Sequence, residues 1–529
     1  WPRVLSYYLK HHWIIVPGLL FGFLITGLIM QYVTPDPDEH STEEIIRSYH
    51  EHQGDIQMRP FFPKLIAAIT TVGFGGSAAL EGPSIYGGGA LGSWLWAKLK
   101  RLRRFRLEPR DRRIMLISGA AAGMAAVFRA PLTGLVFALE MPYKDDLAHE
   151  ALLPSLISSV VAYAVLISFL GATPLFDFAA GSTYTRTDLF WSAVLGVICG
   201  LIAMAFDITF RRARTFAVKA SIPHWMKMAI GGLLTGICGL VFVSIFKGSL
   251  IPLGPNYEAV GEILLNPHSS IELVVFGFLK LGATLFSLGV GGVSAMFVPL
   301  FLTGGSFGTA FAQSVVHSSS IDLFAAVGMA AFIAGGYKTP LTAVVFVAEA
   351  TGGHSYIVPT LIGAAVAYAV SGEASVSGDQ RLHEGVKVSG LWRIPVHEVM
   401  QKQVISAQSS SNLREFADNV TAHQRHAAFP VYDEDEQVVG AISLWSLGKV
   451  PPPKWTQIKV GDLMDRGVIK IDPDCDLMEA LRLLENQSGR HMLLVMGATG
   501  KLEGIVTKSD ILSALNARGT YGITPEEHR

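Results

Sequence analysis

Apolar stretches begin at about His12 to Val33 and recur through Val370, several of them broken by Gly or Pro, and polar sequence takes over from about Gly372. A helix needs about 20 apolar residues to cross a bilayer core of about 30 Å. Residues 1–378 therefore read as an all-α polytopic membrane domain. Between Ile114 and Tyr143 only Arg129 and Glu140 are charged, whereas residues 384–529 hold 19 of the 43 acidic residues, so the tail belongs in water. Within it, VHEVMQKQVISAQ and FPVYDEDEQVVGAISL flank one helical stretch, and VGDLMDRGVIKID and MLLVMGATGKLEGIVTKSDIL flank another. Val-rich strands around acidic or Gly turns give each the pattern of a βαββα unit. The expected organisation is a linker at 379–394, a first copy at 395–450, a second at 451–518 and a terminal segment at 519–529.

The membrane part repeats itself as well. PLTGLVFALE (131–140) returns as PLTAVVFVAE (340–349), with Pro, Leu, Thr, Val, Phe and Glu in register. Transporters built from inverted repeats place ion sites where interrupted helices meet near the bilayer midplane, which makes the Gly- and Pro-broken segments the place to look. Basic residues cluster in KLKRLRRFRLEPRDRR (98–113) and again in FRRARTFAVK (210–219). The positive-inside rule puts both, and with them the soluble tail, in the cytosol.

The composition of the 529 residues supports this reading, with 50% hydrophobic, 16% charged and a mean hydropathy of +0.40. The 42 basic and 43 acidic residues nearly cancel, so no long-range field points to nucleic acid. Cys199, Cys238 and Cys475 are too far apart in sequence to suggest a disulfide framework or a Cys-based metal site. Because the chain opens at Trp1 rather than Met, no targeting signal is read from it.

The most informative segment is GFGGSAALEGPSIYGGGALG (73–92), where Glu81 stands alone among small residues at the start of an apolar helix. An ionisable residue inside a bilayer is costly, and it marks function by default. Pro83 suits a first helical turn, and Gly82 leaves amides open at a helix N-terminus, where partial positive charge attracts anions. An ionised Glu81 can occupy an anion's place there, and a protonated one can release it. The plainer alternative is an acid that only caps its own helix. A second break, GVGGVSAMFVPLFLTGGSFG (289–308), offers amides near Met296, Phe297 and Val298, followed by Pro299. Phe297 is a candidate pore wall or a simple packing residue.

These segments resemble a known family. GGSAALEGPS, GAAAGMAAVFRAPLTGLVFALE, SAMFVP and AAFIAGGYKTPLTAVVFVAEATG are similar, in order and separation, to the hallmark segments of the CLC chloride channel and chloride/proton exchanger family. The tail is similar to the paired cystathionine-β-synthase-type (CBS) module that many members carry. The resemblance implies a CLC-type fold with an inverted internal repeat followed by an α/β tandem CBS module. It also implies a homodimer in the lipid bilayer with one ion path per subunit, Glu81 as the gating residue, and chloride or another small anion held by amides around Gly82, Met296 and Phe297.

Three departures from the family pattern bear on mechanism. Where members usually carry GSGIP, this chain has PDPDEHSTEEII (35–46), which puts His40 in the place of the serine that faces the anion. A His titrates near neutrality and can donate an N–H to an anion; the equal alternative is a solvated loop residue among the neighbouring acids Asp36, Asp38, Glu39, Glu43 and Glu44. The inner proton-transfer glutamate of many exchangers would follow Glu140, at a position occupied by Met141. The tyrosine that usually closes the central site from inside would fall near Ser377. In the tail, GIVTKSD (504–510) resembles the ribose-binding end of CBS modules, with Thr507 and Asp510 on one side, whereas the first copy has Leu447 at the matching place. The expectation is at most one adenine nucleotide site. The alternative there is a structural dimerisation module with Asp510 as a helix cap.

The reading is therefore passive anion transport without catalysis, without a required cofactor and without a metal. Met141 and Ser377 tilt the expectation toward channel-like conduction over proton-coupled antiport. A membrane sensor that reads nucleotide and passes no anion is the rival of another class, and Glu81 as an acid catalyst lacks a nucleophile or metal cluster nearby.

Overall fold

A computed structural model of the chain describes residues 1–34, 41–102, 107–171, 184–246, 248, 250–265, 268–317, 320–351, 356–382, 394–402, 404–421, 428–485, 492–497, 500–511 and 513–514. It divides into two compact units, Trp1–Glu384 and Gly385–Arg529. His40 lies outside the described residues.

The first unit is helical. Its elements are α1 (Pro2–Lys10), α2 (Ile15–Val33), α3 (Ser41–Glu51), α4 (Phe61–Gly73), α5 (Glu81–Arg101), α6 (Pro109–Phe128), α7 (Pro131–Glu140) and α8 (Leu152–Leu170). There follow α9 (Arg186–Lys219), α10 (His224–Ile245), α11 (Glu258–Leu265), α12 (Ser270–Leu288), α13 (Phe297–Phe311), α14 (Ile321–Tyr337), α15 (Pro340–Thr351) and α16 (Ile357–Val370). Among the described residues, α2, α8, α9, α10 and α12 are long and apolar enough to span a bilayer. The apolar stretch of α8 is only 11% buried, and Phe169 on it is 81% exposed, as a lipid-facing or partner-facing helix requires. By contrast, every residue of α13 is buried, as are Leu323–Tyr337 of α14.

Glycine sets the closest helix contacts. A Cβ on Gly88 of α5 would stand 2.1 Å from the Gly119 carbonyl oxygen of α6, and one on Gly304 of α13 would stand 2.2 Å from that of Gly328 of α14. Lipid gives helices no hydrophobic drive to associate, so backbone approach of this kind is what holds them. Each glycine-packed pair ends in a left-handed residue, Arg129 (φ 52°) or Lys338 (φ 59°). Each then restarts as a short helix with Pro131 or Pro340 at its first position. Thus α5–α6–α7 and α13–α14–α15 are two copies of one three-helix motif, the structural form of the repeated PLT sequence.

The second unit holds two β-α-β-β-α copies. The first is β1 (Ala407–Gln408), α17 (Leu413–Thr421), β2 (Ala428–Tyr432), β3 (Val438–Ser443) and α18 (Leu444–Leu447). After α19 (Val460–Leu463) come β4 (Lys470–Ile471), α20 (Leu477–Glu485), β5 (Met492–Met496) and β6 (Leu502–Thr507). In each sheet the first strand pairs parallel and the third antiparallel with a central strand, and the antiparallel register slips at matching places, Val431/Tyr432 and Val495/Met496. Gln401, ahead of β1, pairs with Ile505 of the second copy, and Asp465, ahead of β4, pairs with Ala441 of the first. The copies are therefore stitched to each other by their leading segments.

Candidate functional site

The two helix breaks ahead of α5 and α13 cross each other. Ala79 and Ala295 exchange both backbone hydrogen bonds, at 2.9 and 3.1 Å, and Ser294 Oγ donates to the Ala79 carbonyl. Gly82 eases this crossing, because a Cβ there would lie 3.2 Å from the Ser294 carbonyl carbon, a tight contact that asks the neighbouring backbone to give by a few tenths of an ångström. Non-helical backbone at membrane depth needs internal partners. Here Ser287 supplies one, its Oγ accepting the Ser77 amide at 3.0 Å, and the Ser77 hydroxyl lies 2.9 Å from Thr284 Oγ1.

The crossing brings the N-termini of α5 and α13 face to face. Glu81, 1% exposed, accepts the Phe297 amide at 3.0 Å. The carboxylate thus sits on the first amide of a helix 216 residues away, at the positive end of that helix's dipole. Its Oε2 is buried with no hydrogen-bond partner among the described residues. The Phe297 ring is fully buried among Phe128, Phe137, Tyr337 and Phe346, with centroids 4.9 to 5.8 Å away. It packs, and it is the amide that faces the carboxylate.

Beside this point lies a cavity of about 30 Å³ whose lining includes Thr42, Glu43, Phe210, Met296, Tyr337 and Ser377. Thr42 and Glu43 come from the first turn of α3, which brings a third helix N-terminus to the same space. The Met296 amide donates to the Tyr337 hydroxyl at 3.1 Å, so of the amides around Gly82, Met296 and Phe297 expected to hold an anion, that of Phe297 meets Glu81 and that of Met296 meets Tyr337. Ser377 Oγ is buried without a hydrogen-bond partner among the described residues. Gln380 ties the wall behind it together by donating to the carbonyls of Met141, Tyr143 and Tyr337, at 3.1, 3.3 and 3.0 Å.

Of the residues singled out from sequence, Glu81, Gly82, Met296, Phe297 and Ser377 share this neighbourhood. Met141 is buried at the end of α7. Two acids expected to surround His40 are committed elsewhere, Glu43 to Arg214 and Glu44 to Lys64. Arg214 belongs to the basic run assigned to topology, so that run also reaches into the site. Tyr337 escaped the sequence reading. Its signal was present, since it stands three residues before the second PLT as Phe128 does before the first.

In the second unit Thr507 and Asp510 are adjacent. Asp510 Oδ2 accepts the Thr507 amide at 2.9 Å and its hydroxyl at 2.7 Å, while Thr507 Oγ1 accepts the Asp510 amide at 3.3 Å. Asp510 Oδ1 accepts Gln401 Nε2 at 3.2 Å. This is the reciprocal geometry of a helix cap.

Comparison with known proteins places the chain. The family model described as voltage gated chloride channel matches residues 22–372, and that of the CBS domain matches 396–449 and 460–517. The H(+)/Cl(-) exchange transporter ClcA of Yersinia pestis bv. Antiqua (strain Angola) is 30% identical over 310 residues, 56% of this chain and 62% of that protein. The chain thus spans under two thirds of that relative's length. A CLC-type fluoride/proton antiporter superposes with a TM-score of 0.61 at 21% identity, over 72% of this chain and 91% of the other. A slow cyanobacterial Cl-/H+ antiporter superposes with a TM-score of 0.59 at 22% identity, over 70% and 88%. The crossed helix breaks, the duplicated three-helix motif and the extent of these matches lead to one conclusion: the chain belongs to the voltage-gated chloride channel (CLC) family and carries two CBS domains.

Proposed function

We propose that this chain exchanges chloride for protons across a membrane, with Glu81 as the gate that both ions use. The carrying observation is the Glu81 carboxylate seated on the Phe297 amide at 3.0 Å, where a helix N-terminus would otherwise hold an anion. Ionised, the carboxylate competes with chloride for that amide. Once protonated it loses its attraction to the dipole, swings away and lets chloride take its place, carrying a proton as it moves. The inner cavity, with the Ser377 hydroxyl, unpaired among the described residues, and the α3 N-terminus, receives the anion on the other side.

Met141 and Ser377 suggested channel-like conduction, and the relatives favour the antiport alternative instead. The ClcA relative is an H(+)/Cl(-) exchange transporter, and the two superposed proteins are both proton antiporters. The reading extends to a homodimer, whose contact would cover part of the exposed apolar surface, and to CBS domains in the cytosol that take up adenine nucleotide at Thr507 and Asp510. Purified protein in liposomes under crossed chloride and pH gradients tests the exchange. A reversal potential that follows both gradients supports it, one that follows chloride alone points to a channel, and absence of flux points to a sensor.

A further inference from the structure

Exchange needs a proton carrier on the inner side of Glu81, and Met141 has no titratable group. Asp207 of α9 is fully buried, and neither of its carboxylate oxygens has a hydrogen-bond partner among the described residues. An unpaired carboxylate inside a membrane domain is costly to keep for structure alone.

Its position is tied to the site by its own helix. Along α9, Ala203 packs on Gly335, Asp207 Oδ1 lies 3.9 Å from where a Cβ of Gly336 would stand, Phe210 lines the cavity and Arg214 binds Glu43. Steps of four, three and four residues put these side chains on one face, and that face runs along the end of α14 from Gly335 toward the cavity. Gly336 precedes Tyr337, which lines the cavity with Glu43 and whose hydroxyl accepts the Met296 amide, next to the Phe297 amide that meets Glu81. Lys338 stands two residues past Gly336 at the end of α14, and Arg211 one turn beyond Asp207 on α9. Lys338 Nζ donates to the Tyr368 carbonyl at 3.0 Å and to Ser371 Oγ. Glu43 also lines the cavity, but its carboxylate is committed to Arg214.

We propose that Asp207 is the inner proton carrier of this chain: the proton that leaves the Glu81 carboxyl is received by the Asp207 carboxylate, by way of the Tyr337 hydroxyl or water in the cavity, and is released from there to the inner solution. No other reactant is consumed, because one O–H bond breaks as another forms. The inference rests on the exchange reading above.

The test is simultaneous recording of chloride and proton movement in liposomes, for the full chain and for Asp207→Asn, Asp207→Ser and Asp207→Glu. The expected result is that the wild type moves protons uphill when driven by chloride. Asn and Ser should pass chloride with at least a tenfold loss of proton movement, and Glu should restore it. Proton coupling in the Asn and Ser variants equal to wild type overturns the role of Asp207 and leaves exchange standing. A wild type that moves chloride and no protons overturns both readings. Loss of chloride and proton movement together in Asn and Ser, with size-exclusion profiles like wild type, overturns the relay in favour of a structural role.

Discussion

The Glu140 carboxylate receives both the amide and the hydroxyl of Thr342, at 2.8 and 2.5 Å, and so caps α15 from the end of α7. The second copy of the motif returns the contact. Glu349, at the end of α15, receives the amide and hydroxyl of Thr133, both at 2.7 Å, and caps α7. Pro at each helix start removes one orphan amide, and the partner's carboxylate takes the next two. The six identities between PLTGLVFALE and PLTAVVFVAE are therefore, in part, the parts list of a reciprocal clasp.

Breaking the clasp should be unequal on its two sides. Glu140 is 5% exposed, whereas Glu349 is half-buried. Hydrogen bonds to a charged buried group are worth more than caps near the surface. We expect Glu140→Ala to cost about 2 kcal/mol and Glu349→Ala about 1 kcal/mol. The double variant should lose less than the sum, because both caps hold the same helix pair. Thermal and denaturant unfolding in detergent measures this, and strict additivity would show that the two caps act independently.

Glu81→Gln keeps the size of the side chain and removes its charge. Chloride flux should persist, and its dependence on external pH should flatten, because the group competing for the Phe297 amide no longer titrates. Proton movement should cease at the same time. Flux recorded across external pH 5 to 8 decides the matter, and a profile like that of wild type would leave Glu81 as a helix cap only.

Tyr337→Phe removes the acceptor of the Met296 amide and strands a buried N–H. Such a group costs about 1–3 kcal/mol, and an anion in the cavity can recover part of that cost. The variant should therefore melt lower than wild type when chloride is replaced by a bulky anion, and chloride should raise its melting temperature by more than it raises that of wild type. Equal chloride-induced shifts in the two proteins would show that the Met296 amide does not meet the anion.

Much of this architecture was legible in the chain. Glu81 stood out because a single acid in a glycine-rich apolar segment has few structural reasons to be there, and the PLT repeat announced the paired motif. What stayed hidden was long-range pairing. Glu43 looked like one of five acids around a loop, and Arg214 like topology-setting charge, until the fold joined them across 171 residues. Asp207, three residues ahead of the basic run that starts at Phe210, was not singled out, since spacing alone does not tell which face of a long helix is buried. In the tail, strand and turn chemistry gave the two copies, but the leading segments that cross between them depend on pairings outside each copy's own pattern, Gln401 with Ile505 and Asp465 with Ala441.

Cys475 offers a check on the second unit. Partial burial and the Glu479 carboxylate, which accepts from its Sγ at 3.5 Å, push the thiol up to about 12. Thiolate is the reactive form, so at pH 8 only a small fraction is available, and labelling by a maleimide should be slow. Glu479→Gln removes a negative charge that raises the pKa, so labelling at pH 8 should speed up several-fold. An unchanged rate would mean that burial alone limits access.

The last prediction concerns Asp510, which serves as a cap whether or not it also serves as a ligand. Its carboxylate has roughly four lone-pair positions, and Thr507 and Gln401 occupy three of them. One acceptor therefore remains for a ribose hydroxyl without dismantling the cap. Asp510→Ala should cost about 1 kcal/mol through the lost cap and weaken adenine nucleotide binding by tenfold or more. Asp510→Asn retains one amide oxygen to accept from Thr507, so it should keep more of the stability while losing most of the affinity. Calorimetric titration of the full chain with ATP, ADP and AMP, run beside thermal unfolding of the same variants, separates the two roles. Stability losses with no nucleotide heat in the wild type would leave the pair of CBS domains as a structural module, and an affinity loss in Asp510→Asn at near wild-type stability would make Asp510 a ligand as well as a cap.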